Sequence, residues 1–144
     1  MNKAILRPKG HKIMVILGFI LAGLNLLMFL LSGLASLYTN IFETYGEIYV
    51  TSCFIFFPII CLAGIYGLIK IANKEIIGIK VVKISHIFSI IISLLVLNEF
   101  IMKDQNDEIF QWMLGICIDF GFFLYWNNRN HINYFRSIKN NQYY

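Results

Sequence analysis

Charge is what this sequence has least of. Only 14% of its 144 residues are Asp, Glu, Lys or Arg, against about 25% in ordinary globular chains. Hydrophobic residues make up 58%, and the mean hydropathy is +0.69. A water-soluble domain of this size cannot hide so much apolar surface, because small domains bury a smaller fraction of what they carry. The shortage of charge therefore excludes a soluble domain and leaves lipid as the solvent. Cysteine is scarce as well. Cys53, Cys61 and Cys117 are odd in number, lie inside apolar runs and form no Cys-x-x-Cys. That excludes a disulfide framework and a redox motif and leaves small apolar packing residues. Also missing are a Walker loop, a dinucleotide fingerprint, zinc-ligand spacing and a nucleophile elbow. No cofactor, metal or enzymatic activity is expected. The net charge is +4, yet the basic residues sit in short clusters between apolar runs. They read as membrane-orienting flanks, so nucleic acid is not an expected partner.

What the chain does have is four long apolar runs: Ile13–Tyr38, Ile48–Ile71, Val81–Met102 and Ile109–Trp126. A helix needs about 20 apolar residues to span a bilayer, so each run predicts a transmembrane helix. The fourth is the weakest because it contains Asp119. The expected fold is an all-α, antiparallel bundle of four transmembrane helices, a single integral membrane domain over 1–144. Short turns at Thr39–Glu47 and Lys103–Glu108 predict that helices one and two, and three and four, are neighbours. The tail Asn127–Tyr144 is polar and aromatic and is expected to lie on the surface or to be partly disordered. The basic start and the Gly33-Leu34-Ala35 before Ser36 imitate a cleavable signal, but the first apolar run exceeds the usual signal core of about 7–15 residues. It reads as a retained span.

The charges predict an orientation. Lys3, Arg7, Lys9, Lys12, Lys70, Lys74, Lys80, Lys83, Arg129, Arg136 and Lys139 fall on one side, which is 11 of the 12 Lys and Arg residues, with only Glu75 against them. Glu43, Glu47, Glu99, Asp104, Asp107 and Glu108 fall on the other, with Lys103. Under the positive-inside rule both termini are cytoplasmic and the membrane is the cell membrane. Tyr38, Tyr45, Tyr49, Tyr125 and Trp126 suit interfacial belts.

Residues three or four apart share a helix face, and each run has one small or polar stripe. The first carries Gly18, Ala22, Asn25, Phe29, Ser32 and Ser36. The second carries Cys53, Phe57, Cys61, Gly64 and Gly67. His86, Ser89 and Ser93 mark the third, and Gln111, Gly115 and Asp119 the fourth. In lipid, small residues let helix backbones approach, so Gly18, Ala22, Gly64, Gly67 and Gly115 are the expected helix-packing positions. Asn25, Pro58 and Asp119 fall near mid-span, with Ser89 and Ser93 close to that depth and His86 nearer the cytoplasmic end. Pro58 cannot donate to the Phe54 carbonyl, and Asn25 or a protonated Asp119 could donate instead.

Asp119 stands out, since a carboxyl near mid-bilayer costs about 2.5–3.5 kcal/mol on insertion scales and often marks an ion or proton path. His86 and Ser89 are its expected partners by depth. The absence of a catalytic constellation favours a non-enzymatic accessory or interaction subunit, of immunity type among others, that docks on other membrane proteins or on itself. The alternative is a small oligomeric transporter or channel subunit using Asp119 with Asn25 and His86. What separates them is whether Asp119 faces a hydrated cavity or a dry helix contact.

Overall fold

The computed structural model describes residues 8, 10–36 and 45–141. Most of the expected turn Thr39–Glu47, with Tyr38 and Glu43, lies outside the described residues, as do Lys3, Arg7 and Lys9. Five helices make up the described chain. They are α1 (His11–Ser36), α2 (Glu47–Ala72), α3 (Ile77–Met102), α4 (Asn106–Asn127) and α5 (Arg129–Asn141). The first four are long and apolar enough to cross a membrane. At about 1.5 Å per residue, the 26 residues of α3 reach about 39 Å, more than the roughly 30 Å of hydrocarbon.

One segment of α2 is not α-helical. Residues Ser52–Phe56 form a π turn, in which the Phe57 N–H bonds the Ser52 carbonyl. Pro58 follows at once and has no N–H to give, so the ladder widens just ahead of the missing donor. Re-registration of the backbone, rather than a donor from Asn25 or Asp119, accompanies the proline.

Both α2 and α3 end on a left-handed residue, Lys74 (φ 62°) and Asp104 (φ 55°). The following N–H then reaches back five residues: Glu75 to the Lys70 carbonyl at 2.8 Å, Gln105 to that of Phe100 at 3.0 Å. This closes otherwise open carbonyls and reverses the chain within a few residues. At its other end α2 begins after Gly46, which has φ 102°. Among the described residues no side chain nearby in sequence caps it. Glu99 of α3 does so instead, accepting the Tyr49 N–H at 2.8 Å and the Ile48 N–H at 3.3 Å. A carboxylate on a helix N-terminus is favoured by the dipole and by the unsatisfied N–H groups. A Cβ on Gly46 would collide with that carboxylate.

The tightest seam joins α2 and α3. A Cβ added to Gly67 would sit 2.7 Å from a Val82 methyl and 3.1 Å from the Gly78 carbonyl oxygen. One added to Gly78 would sit 2.5 Å from the Gly67 oxygen and 2.6 Å from the Ile71 nitrogen. Backbone meets backbone here, and only glycine fits. Gly18 of α1 also stands close to a neighbour, with Leu68 methyls 3.1 Å from where its Cβ would be.

Helix α1 packs on α2, α2 on α3 and α3 on α4, but α1 and α4 are not packed along their length. The spans thus pack in chain order, with α1 and α4 left apart. The facing stripes explain it, since Asn25, Ser32, Gln111 and Gly115 are too small or too polar to fill the gap with apolar contact. These two are drawn together only where α1 begins and α4 ends. There His11 lies 5.8 Å, centroid to centroid, from Trp126, and both are buried with Val15 and Phe135. Phe135 comes from α5. The expected surface or partly disordered tail is a helix over 129–141 that buries His131 and Phe135 against this end and exposes Arg129, Asn133 and Arg136. Spacing of four between His131 and Phe135 puts both on one face.

Candidate functional site

Between the four spans lies a cavity of about 460 Å³. From α1 it takes Gly18, Ala22, Asn25, Phe29 and Ser32, and from α2 Phe57, Cys61 and Gly64. His86, Ser89 and Ser93 of α3 and Gln111, Gly115 and Asp119 of α4 complete the polar wall. The small and polar stripes thus converge on one space, since helical spacing puts each stripe on a single face. Two of the expected packing positions differ. Gly64 and Gly115, expected at helix contacts, meet nothing within 4 Å of an added Cβ. They widen the cavity, whereas the α2–α3 approach belongs to Gly67 and Gly78. Pro58 is half-buried and does not line the cavity.

Asp119 is held from two sides. One carboxyl oxygen lies 2.8 Å from His86 Nδ1, and the Ser89 hydroxyl donates to the other at 2.5 Å. His86 and Ser89 are three residues apart on α3, so one turn presents both to a single carboxyl on α4. Phe122 stacks on the imidazole at 5.5 Å with 20° between planes, which fixes the ring's orientation. The side chains are 20% and 24% exposed for His86 and Asp119, so both remain partly open on the cavity wall. Within 2.8 Å a single proton has two places to reside: on the imidazole, giving an ion pair, or on the carboxyl, giving a neutral pair. Such an arrangement can hold a proton and pass it on. Ser85, one turn away, is turned back on its own helix and donates to the Val81 carbonyl at 3.0 Å. Asn25 lines the cavity from α1.

Toward the end nearest the α3–α4 turn the wall becomes aromatic. Phe29 stacks on Phe57 with centroids 4.6 Å apart and planes at 10°. Phe57 is 5.4 Å from Trp112, and Tyr49 meets Trp112 edge-on at 6.1 Å. Glu108, one turn before Trp112, also lines the cavity. Sequence reasoning had placed Glu108 with the loop acids, although the spacing Glu108, Gln111, Gly115, Asp119 continues the α4 stripe by one turn. It also missed Glu99 as a cap and the buried pair His11 and His131, whose rings stack at 5.7 Å. No local pattern announces those long-range contacts. Among the described residues no group of three His, Cys, Asp or Glu side chains is placed to hold a metal ion.

Comparison with known proteins gives no matching family, no matching curated protein and no matching solved structure.

Proposed function

We propose that this chain is a small, non-enzymatic, multi-pass protein of the cell membrane that handles protons or cations in its intramembrane cavity, acting as an oligomeric transporter or channel subunit. The distribution of Lys and Arg supports a cytoplasmic position for both termini. The observation that carries the reading is the location of Asp119. Its carboxyl is bonded to His86 and Ser89 on the wall of a polar cavity. The same bonds join α4 to α3, so the carboxyl ties two helices together while it faces the cavity. An ionisable residue kept at that depth is expensive, and a polar cavity with a proton-sharing partner is where it has a use.

The test is proton flux in liposomes carrying the purified protein and a trapped pH-sensitive dye, driven by an imposed membrane potential. Wild type should acidify the lumen. Asp119→Asn should insert and melt as wild type does yet lose the flux, because the amide cannot change charge. Full flux with the amide in place would end the reading. A second reading, an accessory or immunity-type subunit that docks through its transmembrane surface, is favoured by α1 and α4, whose spans are almost wholly exposed. Full flux-independent function of Asp119→Asn, with a membrane protein co-purifying in mild detergent, would select it.

A further inference from the structure

The cavity wall has a sign and a texture. Among the described residues two carboxyl side chains line it, Asp119 and Glu108, and no Lys or Arg does. The single basic group on the wall, His86, is already committed to Asp119. Four aromatic rings, Phe29, Phe57, Trp112 and Tyr49, follow one another at 4.6, 5.4 and 6.1 Å near Glu108. Aromatic faces attract cations and apolar rings, Glu108 has no basic partner on the described wall, and the Asp119–His86 pair is left with a net negative charge when its shared proton departs. At about 460 Å³ the space falls within the roughly 300–1,000 Å³ typical of small-molecule sites. Trp112 and Trp126 both line it and are fourteen residues apart on α4, so at 1.5 Å per residue the wall extends about 21 Å through the membrane.

The route in is also visible. Because α1 and α4 are not packed along their length, the cavity opens sideways toward lipid. It is drawn shut where His11, Trp126 and Phe135 meet. Whatever enters by that gap must dissolve in hydrocarbon first. Resting on the cation-handling reading of the same cavity, we infer that its ligand is a lipophilic organic cation, with aromatic or alkyl groups seated among Phe29, Phe57 and Trp112 and its charge balanced by Asp119 and Glu108. A hydrated metal ion would have no use for the rings. An anionic lipophile would meet Glu108 and, among the described residues of the wall, no basic side chain other than His86, which is held by Asp119.

The molecule carries its own reporters, because both of its tryptophans lie on the cavity wall. Tryptophan fluorescence of the purified protein in detergent is titrated with tetraphenylphosphonium and, separately, with tetraphenylborate, which has the same shape and the opposite charge. A saturable change is expected with the cation and none with the anion. Asp119→Asn should weaken the cation's binding about tenfold, a loss of about 1.4 kcal/mol. Gln111→Lys, which puts a positive charge on an exposed part of the wall, should abolish it. Thermal stability reports on folding for each variant, and Gln111→Lys serves where Asp119→Asn does not fold. Equal responses to both ions, or binding indifferent to Gln111→Lys, would overturn the inference. Asp119-dependent proton flux without cation binding removes only the ligand class. Cation binding without flux removes transport and leaves a binding site.

Discussion

The α2–α3 seam and the gap between α1 and α4 are built from the same few residue types and come to opposite ends. At the seam, Gly67 and Gly78 bring two backbones together until a single methyl would not fit. On the cavity wall beside the gap, Gly64 of α2 and Gly115 of α4 have nothing within 4 Å of an added Cβ. A small residue in a membrane helix therefore has two uses: it lets a neighbour approach, or it leaves room. The seam is closed because Ile71, Ile79 and Val82 surround its glycines with buried apolar contact. The gap stays open because its glycines alternate with Asn25, Ser89, Gln111 and Asp119, whose polar groups need partners or water rather than methyl groups. Close backbone packing gathers at the seam and ionisable chemistry around the cavity.

The largest test of this contrast is a pair of substitutions. Gly78→Val should lower stability by about 3 kcal/mol or more, the upper range for overpacking, because the obstacles are backbone atoms that cannot turn aside. Gly64→Leu should fold nearly as wild type and instead narrow the cavity. Thermal unfolding in detergent measures both, and equal melting temperatures for the two variants would erase the distinction between seam and gap.

A smaller effect is expected at the end of the seam where Glu99 caps α2. Glu99→Gln keeps an acceptor oxygen but loses the charge that faces the helix N-terminus. The expected cost is about 1 kcal/mol, read in the same melting experiment. Unchanged stability would mean that the charge contributes nothing and that the Gly46 turn alone holds the start of α2.

The smallest effect concerns the contact where α1 begins and α4 ends. Burial pushes the His131 pKa below its ordinary 6.5, and its ring faces His11, Tyr125 and Trp126, none of them acidic. The docked tail thus resists a proton that the undocked tail accepts. Docking should be at full strength above about 6.5 and weaken as the pH falls below it, since the released state then binds more protons. Hydrogen exchange of α5 between about pH 8 and about pH 5 measures this. His131→Phe should flatten the dependence, and an unchanged profile in that variant would assign it to another group.

The four spans could be read from the chain because length and hydropathy are local properties, and the bilayer imposes both on any segment that crosses it. The cavity-facing stripes were legible for a similar reason: a 3.6-residue period carries Gly18 to Ser32 and Gln111 to Asp119 along one side of a helix whatever lies opposite. The pairing of Asp119 with His86 and Ser89 followed from depth alone. Tertiary structure decided everything that required knowing which faces meet. It separated the packing glycines Gly67 and Gly78 from the space-making Gly64 and Gly115, which look alike in sequence because a hydrogen side chain carries no information about its neighbour. Glu99 became a cap for a helix fifty residues away, and a polar tail became a helix docked on His11. Such contacts join residues distant along the chain, and their energies depend on three-dimensional approach, so no local pattern in the sequence specifies them.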